Sequence, residues 1–312
     1  MTGTKFGSTL ENVWADYRRC AARSRSLKNK LDKIRMSALV LVTLSGVLGL
    51  LSTLVPEAID LGRFLAFASA LAAALGGYVT AQALSLGLER EWVLSRSIAE
   101  ALKSEAFRYL ARAQPYACAR RVENDETLSQ KAGEYRERMT LGAFLRLEDS
   151  ERTKGLPEDW LAMDDYLQLR VHDQLKYFEQ KAEETSERGQ RLRTATIVLG
   201  AIAVVLGAAQ GVYKELAGIA AWIPVVTSIS GAITTHLFSG RFQFLAESYE
   251  MMVSRLNRLL ESWERVPEQD KARRADEFVV RFEEILLVEN KQWVAEFDKS
   301  GERAAAPGGA KQ

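Results

Sequence analysis

The sequence has very little of the chemistry on which metal sites and disulfide frameworks depend. Only two cysteines, Cys20 and Cys118, and two histidines, His172 and His236, occur in 312 residues. Neither cysteine has a partner at a metal-ligand spacing, and two cysteines allow one disulfide at most. We therefore expect reduced thiols, no metal and no cofactor.

Recognisable catalytic motifs are also missing. The sequence contains no phosphate-binding glycine loop, no H-E-x-x-H, no G-x-S-x-G and no C-x-x-C. Most acidic residues alternate with basic ones along faces with helical periodicity, a pattern typical of solvated, salt-bridged surfaces. We predict no catalytic residue and a protein that is not an enzyme.

The chain has no excess of charge of one sign. It carries 42 lysines and arginines against 41 aspartates and glutamates, a net charge of +1. Nucleic-acid-binding proteins usually show a strong basic excess. A nucleic-acid polymer is therefore not an expected partner.

Four long segments have no charged residue at all. A bilayer core is crossed by about 20 apolar residues in a helix, and a soluble helix of that length must turn a polar face to water. The partner of these segments is therefore the lipid bilayer. The uncharged segments are 36–55, 64–88, 194–213 and 216–240.

The basic residues predict how these segments are oriented. Residues 18–35 contain eight basic residues and one acid, and residues 176–193 contain five basic residues. The loops 56–63 and 214–215 contain one basic residue each. Because lysine and arginine stay on the cytoplasmic side, we expect a multi-pass protein of the inner (cytoplasmic) membrane, with the N- and C-termini in the cytoplasm.

The predicted fold is an all-α membrane protein with four transmembrane helices in two tandem hairpins. Apolar residues spaced three or four apart before and after each hairpin predict long amphipathic cytoplasmic helices, including helices over 125–149, 157–212 and 278–297. The predicted regions are a first repeat over 1–125, a cytoplasmic helix and linker over 126–156, a second repeat over 157–298 and a disordered tail over 299–312.

Three segments resemble a known family. They are EALKSEAFRYLARAQPYA after the second span, DDYLQLRVHDQLKYFEQKA before the third, and FEEILLVENKQWVAEF near the end. All three are similar to SLATT domains, the SMODS- and SLOG-associating two-transmembrane effector domains, here as two tandem copies. The resemblance implies a bacterial membrane effector, often a pore former in anti-phage conflict systems, and a cytoplasmic partner that senses or signals with nucleotides.

Small and hydroxyl-bearing residues form a stripe on the second and fourth spans. Such a stripe lines a water-filled path in some membrane proteins, and in others it lets two helices approach closely; both readings stay open here. His236, near the cytoplasmic end of the fourth span, has two readings as well, a proton sensor or an interfacial histidine with access to water. The candidate pore-lining residues are Thr227, Gly231, Thr235, Ser239, Ser69, Gly77 and Thr80.

A cluster of arginines and tyrosines after the second span is a candidate site for an anionic ligand. Its basic members are Arg108, Arg112, Arg120 and Arg121. The alternative is a helix end with solvated bases and a packed tyrosine pair.

We expect a homo-oligomeric, channel-like effector, because four spans are few for a pore within one chain. The competing function is a non-conducting, membrane-anchored helical scaffold that recruits cytoplasmic partners. A secondary transporter is disfavoured, because no span carries an acid or a base at mid-depth.

Overall fold

The described part of the chain is helical, as the sequence predicts. The structure, a computed structural model, describes residues 7–55, 60–83, 86–139, 149–212 and 221–305, and these contain helices and turns but no strand. The helices are α1 (Ser8–Leu54), α2 (Leu61–Ala83), α3 (Leu86–Leu110), α4 (Arg121–Arg136), α5 (Asp149–Arg152), α6 (Met163–Tyr166), α7 (Asp173–Val212), α8 (Trp222–Gly240), α9 (Phe242–Glu264) and α10 (Glu268–Ala305). A π-helical turn, Leu167–His172, joins α6 to α7.

Three stretches of the described chain are long and apolar enough to cross a membrane. They are Ser8–Leu54, Leu61–Leu110 and Met163–Val212, and they cover the first three predicted spans except for residues 55 and 213. The 19-residue helix Trp222–Gly240 is not among them. Its serines, threonines and histidine lower its mean hydropathy, and residues 213–220, which include the predicted start of this span, lie outside the described residues. The fourth span therefore stays a prediction.

The chain folds as two compact units. The first, here called the three-segment unit, is built from Met1–Lys28, Leu86–Gln180 and Tyr249–Gln312. The second, here called the two-segment unit, is built from Asn29–Ser85 and Lys181–Ser248.

The amphipathic stripes predicted from the sequence form the core of the three-segment unit. Helix α3 packs along α10 and α4. Burying one apolar face of each helix is what stabilises such a bundle. The buried stripe residues include Val13, Cys20, Leu27, Ile98, Leu102, Ala106, Val171, Phe178, Tyr249, Met252, Leu256, Phe278 and Phe282.

A fully buried ion pair lies at the centre of this core. Glu283 of α10 accepts hydrogen bonds from Arg170 Nε and Nη2 at 2.9 and 2.8 Å, and from the Tyr166 hydroxyl at 2.9 Å. The Arg170 guanidinium also lies 4.8 Å from the centre of the Phe107 ring. Burial alone would lower the pKa of Arg170, but the charge and hydrogen bonds of Glu283 raise it above its ordinary value. The π-helical turn Leu167–His172 carries this arginine.

The long helix predicted from residue 157 begins later, at Met163. Residues 157–162 instead pack against the end of α3. The Leu161 amide donates a hydrogen bond to the Leu110 carbonyl at 3.0 Å, and the Trp160 ring lies 5.3 Å from the Tyr109 ring. Tertiary contacts therefore override the helix-start signal of Pro157.

Two other helix boundaries differ from the prediction. Helix α4 ends at Arg136 rather than at residue 149, residues 140–148 lie outside the described residues, and α5 is helical where a linker was expected. The last helix begins at Glu268, ten residues before residue 278, with Glu268 and Asp270 in its first turn. It continues to Ala305, so residues 299–305 of the predicted disordered tail are helical.

Helices α1 and α2 approach each other closely in the two-segment unit. A Cβ atom on Gly76 would lie 3.1 Å from Val42 Cγ2 and 3.4 Å from the Val42 backbone nitrogen. The Ser69 hydroxyl donates a hydrogen bond across the same contact to the Ser45 carbonyl at 2.8 Å. Small residues and hydroxyls of this kind hold membrane helices together.

The apolar part of α7 contrasts with the α1–α2 contact. None of the residues in its membrane-length window is buried. A Cβ atom added at Gly200, Gly207 or Gly211 would meet no atom of the described chain within 4 Å. Within the described residues, this part of α7 is therefore exposed or half-buried along its length.

The junction between α8 and α9 depends on glycine. Arg241 lies in the left-handed region with φ 49°, which ends α8. A Cβ atom on Gly240 would lie 2.3 Å from the Phe242 ring, so no other residue fits there without moving the ring. Helices α8 and α9 are therefore two separate helices, divided at Arg241.

Replacing Glu283 by glutamine should destabilise the three-segment unit by about 3–5 kcal/mol, because it leaves the Arg170 charge buried without its partner. The measurement is the thermal midpoint of the detergent-solubilised protein, with hydrogen exchange of α10. The matched control is Glu284→Gln, the exposed neighbour on the same helix. Equal midpoints for the two variants would contradict a structural role for the pair.

Neighbouring glycines on α2 offer a second test. Gly76→Leu should cost about 1–3 kcal/mol or more, because the side chain would push α1 away from α2. Gly77→Leu should not separate the helices, because a Cβ atom there meets nothing within 4 Å. The readout is a disulfide between cysteines placed on α1 and α2 at this contact. Equal crosslinking in both variants would show that the α1–α2 contact is wrong.

Candidate functional site: a polar cavity among membrane helices

A cavity of about 280 Å³ lies among α1, α2 and α8 in the two-segment unit. This volume is large enough for several water molecules. Polar side chains at membrane depth are tolerated where they face a protein interior or a water-filled cavity. The lining residues are Arg35, Ala38, Leu39, Val42, Thr80, Ser228, Gly231, Ala232, Thr235 and His236.

Two basic groups stand at this cavity. Arg35 comes from α1 at the start of the first predicted span, and His236 comes from α8 four residues before the end of the fourth. His236 also packs against Phe242, with 5.9 Å between ring centres. Both of its readings, a proton sensor and an interfacial histidine with access to water, therefore remain predictions.

The hydroxyls at the cavity are bonded to their own helices. Thr80 donates to the Gly76 carbonyl at 2.8 Å, and Thr235 donates to the Gly231 carbonyl at 3.0 Å. Each hydroxyl keeps its oxygen lone pairs for a water molecule. This arrangement satisfies a threonine inside a membrane helix without a partner on another helix.

The cavity brings together three of the seven candidate pore-lining residues, Thr80, Gly231 and Thr235. Gly231 is exposed, and a Cβ atom there would meet nothing within 4 Å, so Gly231 is not at a close helix contact within the described chain. Whether these positions line a path or pack against another helix remains a prediction.

The other four candidates lie away from this cavity. Ser69 lies in the α1–α2 contact, where a Cβ atom on Gly49 would come within 3.1 Å of its hydroxyl. Gly77 is exposed, and Thr227 is exposed with its hydroxyl bonded to the Ile223 carbonyl at 2.9 Å. The side chain of Ser239 lies outside the described ones. The stripe therefore divides into a packing part and a cavity part.

Sequence reasoning missed the α1 side of the cavity. Arg35, Ala38, Leu39 and Val42 follow one another at helical spacing and share a face. A basic residue followed by a small one three positions later, at a span start, was the available signal.

The candidate anion-binding arginines have separate partners. Arg108 is buried in the three-segment unit, where Nη2 donates to the Val280 carbonyl at 3.3 Å and Nη1 lies 4.0 Å from a Glu105 oxygen. Arg112 has φ 53°, and its guanidinium lies 4.4 Å from the centre of the Trp160 ring. These contacts belong to the packing at the end of α3.

The remaining two candidate arginines are paired along α4. Arg120 forms an ion pair with Glu123, and Arg121 Nε lies 3.7 Å from an Asp125 oxygen. The structure therefore does not bring the four arginines to one shared basic surface, and anion binding by them remains a prediction. Among the described residues, no group of three or more histidine, cysteine or acidic side chains is placed to hold a metal ion.

The two halves of the chain match two different family models. Residues 166–293 match the SMODS and SLOG-associating 2TM effector domain 1, and residues 13–124 match a protein family of unknown function, DUF4231. No curated protein and no solved structure matches the chain. The second half of this membrane chain is thus similar to SLATT effector domains, whereas a tandem pair of SLATT domains is not what the first half matches.

Proposed function

We propose that the protein is a bacterial inner-membrane effector with four spans in two hairpins and with both termini in the cytoplasm. Copies assemble into a homo-oligomer in which the second and fourth spans surround a water-filled path. The observation that carries this proposal is the polar cavity to which α2 contributes Thr80 and α8 contributes Gly231 and Thr235.

The packing of separate chain segments in the three-segment unit supports four crossings of the membrane. Asp16 of the first segment pairs with Arg136 of the second at 2.5 Å, and Arg170 of the second pairs with Glu283 of the third. Segments that pack together lie on the same side of a membrane. Each intervening segment, Asn29–Ser85 and Lys181–Ser248, must therefore leave and return, which takes an even number of spans.

Helix α8 therefore crosses the membrane in this proposal, despite its polar composition. If Lys181–Ser248 crossed only once, through α7, then α9 and α10 would lie on the opposite side from α3, against which α10 packs. A second crossing by 216–240 resolves the conflict. In this proposal the three-segment unit lies in the cytoplasm, which the basic residues within 18–35 and 176–193 support.

The match of residues 166–293 supports the biological setting. The matched family is named for its association with SMODS and SLOG domains and for its role as an effector. We propose that a cytoplasmic partner of this kind, which signals with nucleotides, triggers the chain in a conflict or stress response.

A non-conducting scaffold is the second candidate function. The threonine hydroxyls of the stripe are satisfied by their own helix carbonyls, so the stripe also tolerates lipid or a packed helix. In that case the three-segment unit, with its charged surface, would be the functional part. The two functions differ in whether any solute crosses the membrane.

Thr235→Leu separates the two functions. If Thr235 faces a path, the larger apolar side chain should reduce ion leakage from liposomes at least about tenfold, while the oligomer stays intact because leucine suits a membrane helix. If the stripe only packs helices, the same change should break the oligomer. Leakage and oligomer size are measured on the same preparations.

The control is Ile197→Leu, an exposed position on α7 that should alter neither property. Undiminished leakage through Thr235→Leu would contradict a path along this residue. If wild-type protein conducts under no condition, including with extract from stressed bacteria, the scaffold is the function.

A further inference from the structure

A second cavity, of about 450 Å³, lies within the three-segment unit between α3 and α7. Its volume is in the range of small-molecule sites. Its lining is polar throughout, unlike the apolar seams around it. The lining residues are Glu100, Lys103, Asp173, Gln174, Lys176, Tyr177 and Gln180.

Gln174 is the deepest polar group of this cavity. The residue is 6% exposed, and its side chain lines the cavity. A side-chain amide carries two donor hydrogens and an acceptor oxygen. Gln174 can therefore bond a polar occupant of the cavity.

Two groups of opposite charge on α3 line the same cavity. Glu100 and Lys103 stand three residues apart, so their side chains lie on one face of the helix. The Lys103 ammonium lies 5.9 Å from the centres of the Tyr17 and Phe107 rings. Burial, with the nearby charge of Arg170, lowers its pKa, and Glu100 opposes this shift.

We propose that this cavity binds a small zwitterion of the α-amino-acid class. The ligand carboxylate would form an ion pair with the Lys103 ammonium, and the ligand ammonium would form one with the Glu100 carboxylate. The Gln174 amide would hydrogen-bond to the ligand between these two groups. One ligand would thereby bond both charged groups and the amide.

The charge balance of the lining selects this class over singly charged ligands. Two carboxylates, Glu100 and Asp173, and two ammonium groups, Lys103 and Lys176, line the same cavity. An anion alone would be repelled by the Glu100 carboxylate, and a cation alone would be repelled by the Lys103 ammonium.

The size of the cavity restricts the ligand to a small one. Tyr177 lines the cavity, and its hydroxyl accepts a hydrogen bond from Arg96 at 3.4 Å. Asp173 and Lys176 are exposed and stand at the mouth. This inference does not depend on whether the chain conducts, because the cavity belongs to the three-segment unit.

Calorimetric titration of the full-length protein in detergent tests the proposal. The probes are the twenty common amino acids, one at a time, with inorganic phosphate as the anion-only probe and putrescine as the cation-only probe. At least one amino acid should bind, and phosphate and putrescine should bind at least about tenfold more weakly.

Variants then locate the binding. Glu100→Gln, Lys103→Met and Gln174→Leu should each weaken amino-acid binding about tenfold or more, because each removes a hydrogen bond to a charged or buried group. Glu179→Gln, an exposed residue of α7 outside the cavity, and Lys271→Met on α10 are the matched controls and should bind as wild type does. Thermal midpoints verify that every variant is folded, and Gln174→Asn provides a second folded variant if Gln174→Leu is not.

Three results would overturn the proposal. In the first, no amino acid binds at millimolar concentration. In the second, phosphate or putrescine binds as tightly as the best amino acid, which would mean a simple charged surface. In the third, binding persists in folded Glu100→Gln and Lys103→Met, which would place the amino acid elsewhere.

Discussion

The buried pair between Arg170 and Glu283 is the interaction on which the arrangement of the chain depends. It joins the last helix to the segment before the third span, more than a hundred residues earlier in the sequence. Taking two charges out of water costs free energy that only close geometry and further hydrogen bonds offset, and Tyr166 supplies one of those bonds. The pair therefore specifies which segments meet. In a membrane protein, segments that meet also lie on one side of the bilayer, so the same contact constrains the number of crossings.

A bilayer imposes the second constraint, since every polar group within it needs a partner inside the protein or a water-filled space. The threonines of α2 and α8 meet this requirement in their own helices. Thr80, Ser228 and Thr235 line one cavity, beside Arg35 and His236. The α1–α2 contact is made by Gly76 and Ser69, so close packing and polar lining occupy different positions of the same helix.

Much of the fold follows from local sequence pattern, and the remainder depends on long-range contacts. The apolar spacing of Ile98, Leu102 and Ala106 predicts the buried face of α3, because helical periodicity is a local property. The prediction of a helix beginning at Pro157 was wrong, because Leu161 and Trp160 pack against the end of α3. The glycine at the close contact is Gly76 rather than its neighbour Gly77, and periodicity alone does not separate adjacent residues. Likewise, the sequence placed Thr80, Gly231 and Thr235 on stripes, but only the packing of α1 shows that they share a cavity.

The number of spans is the central claim, and one labelling experiment tests it directly. With Cys20 and Cys118 replaced by serine, single cysteines are placed at Asp60, Glu126 and Glu277, and intact cells are treated with an impermeant thiol reagent. Four spans predict labelling at Asp60 alone, with Glu126 and Glu277 labelled only after the membrane is permeabilised. Labelling of Glu277 but not Glu126 in intact cells would mean three spans, and it would contradict both the two-hairpin arrangement and the packing of α10 on α3.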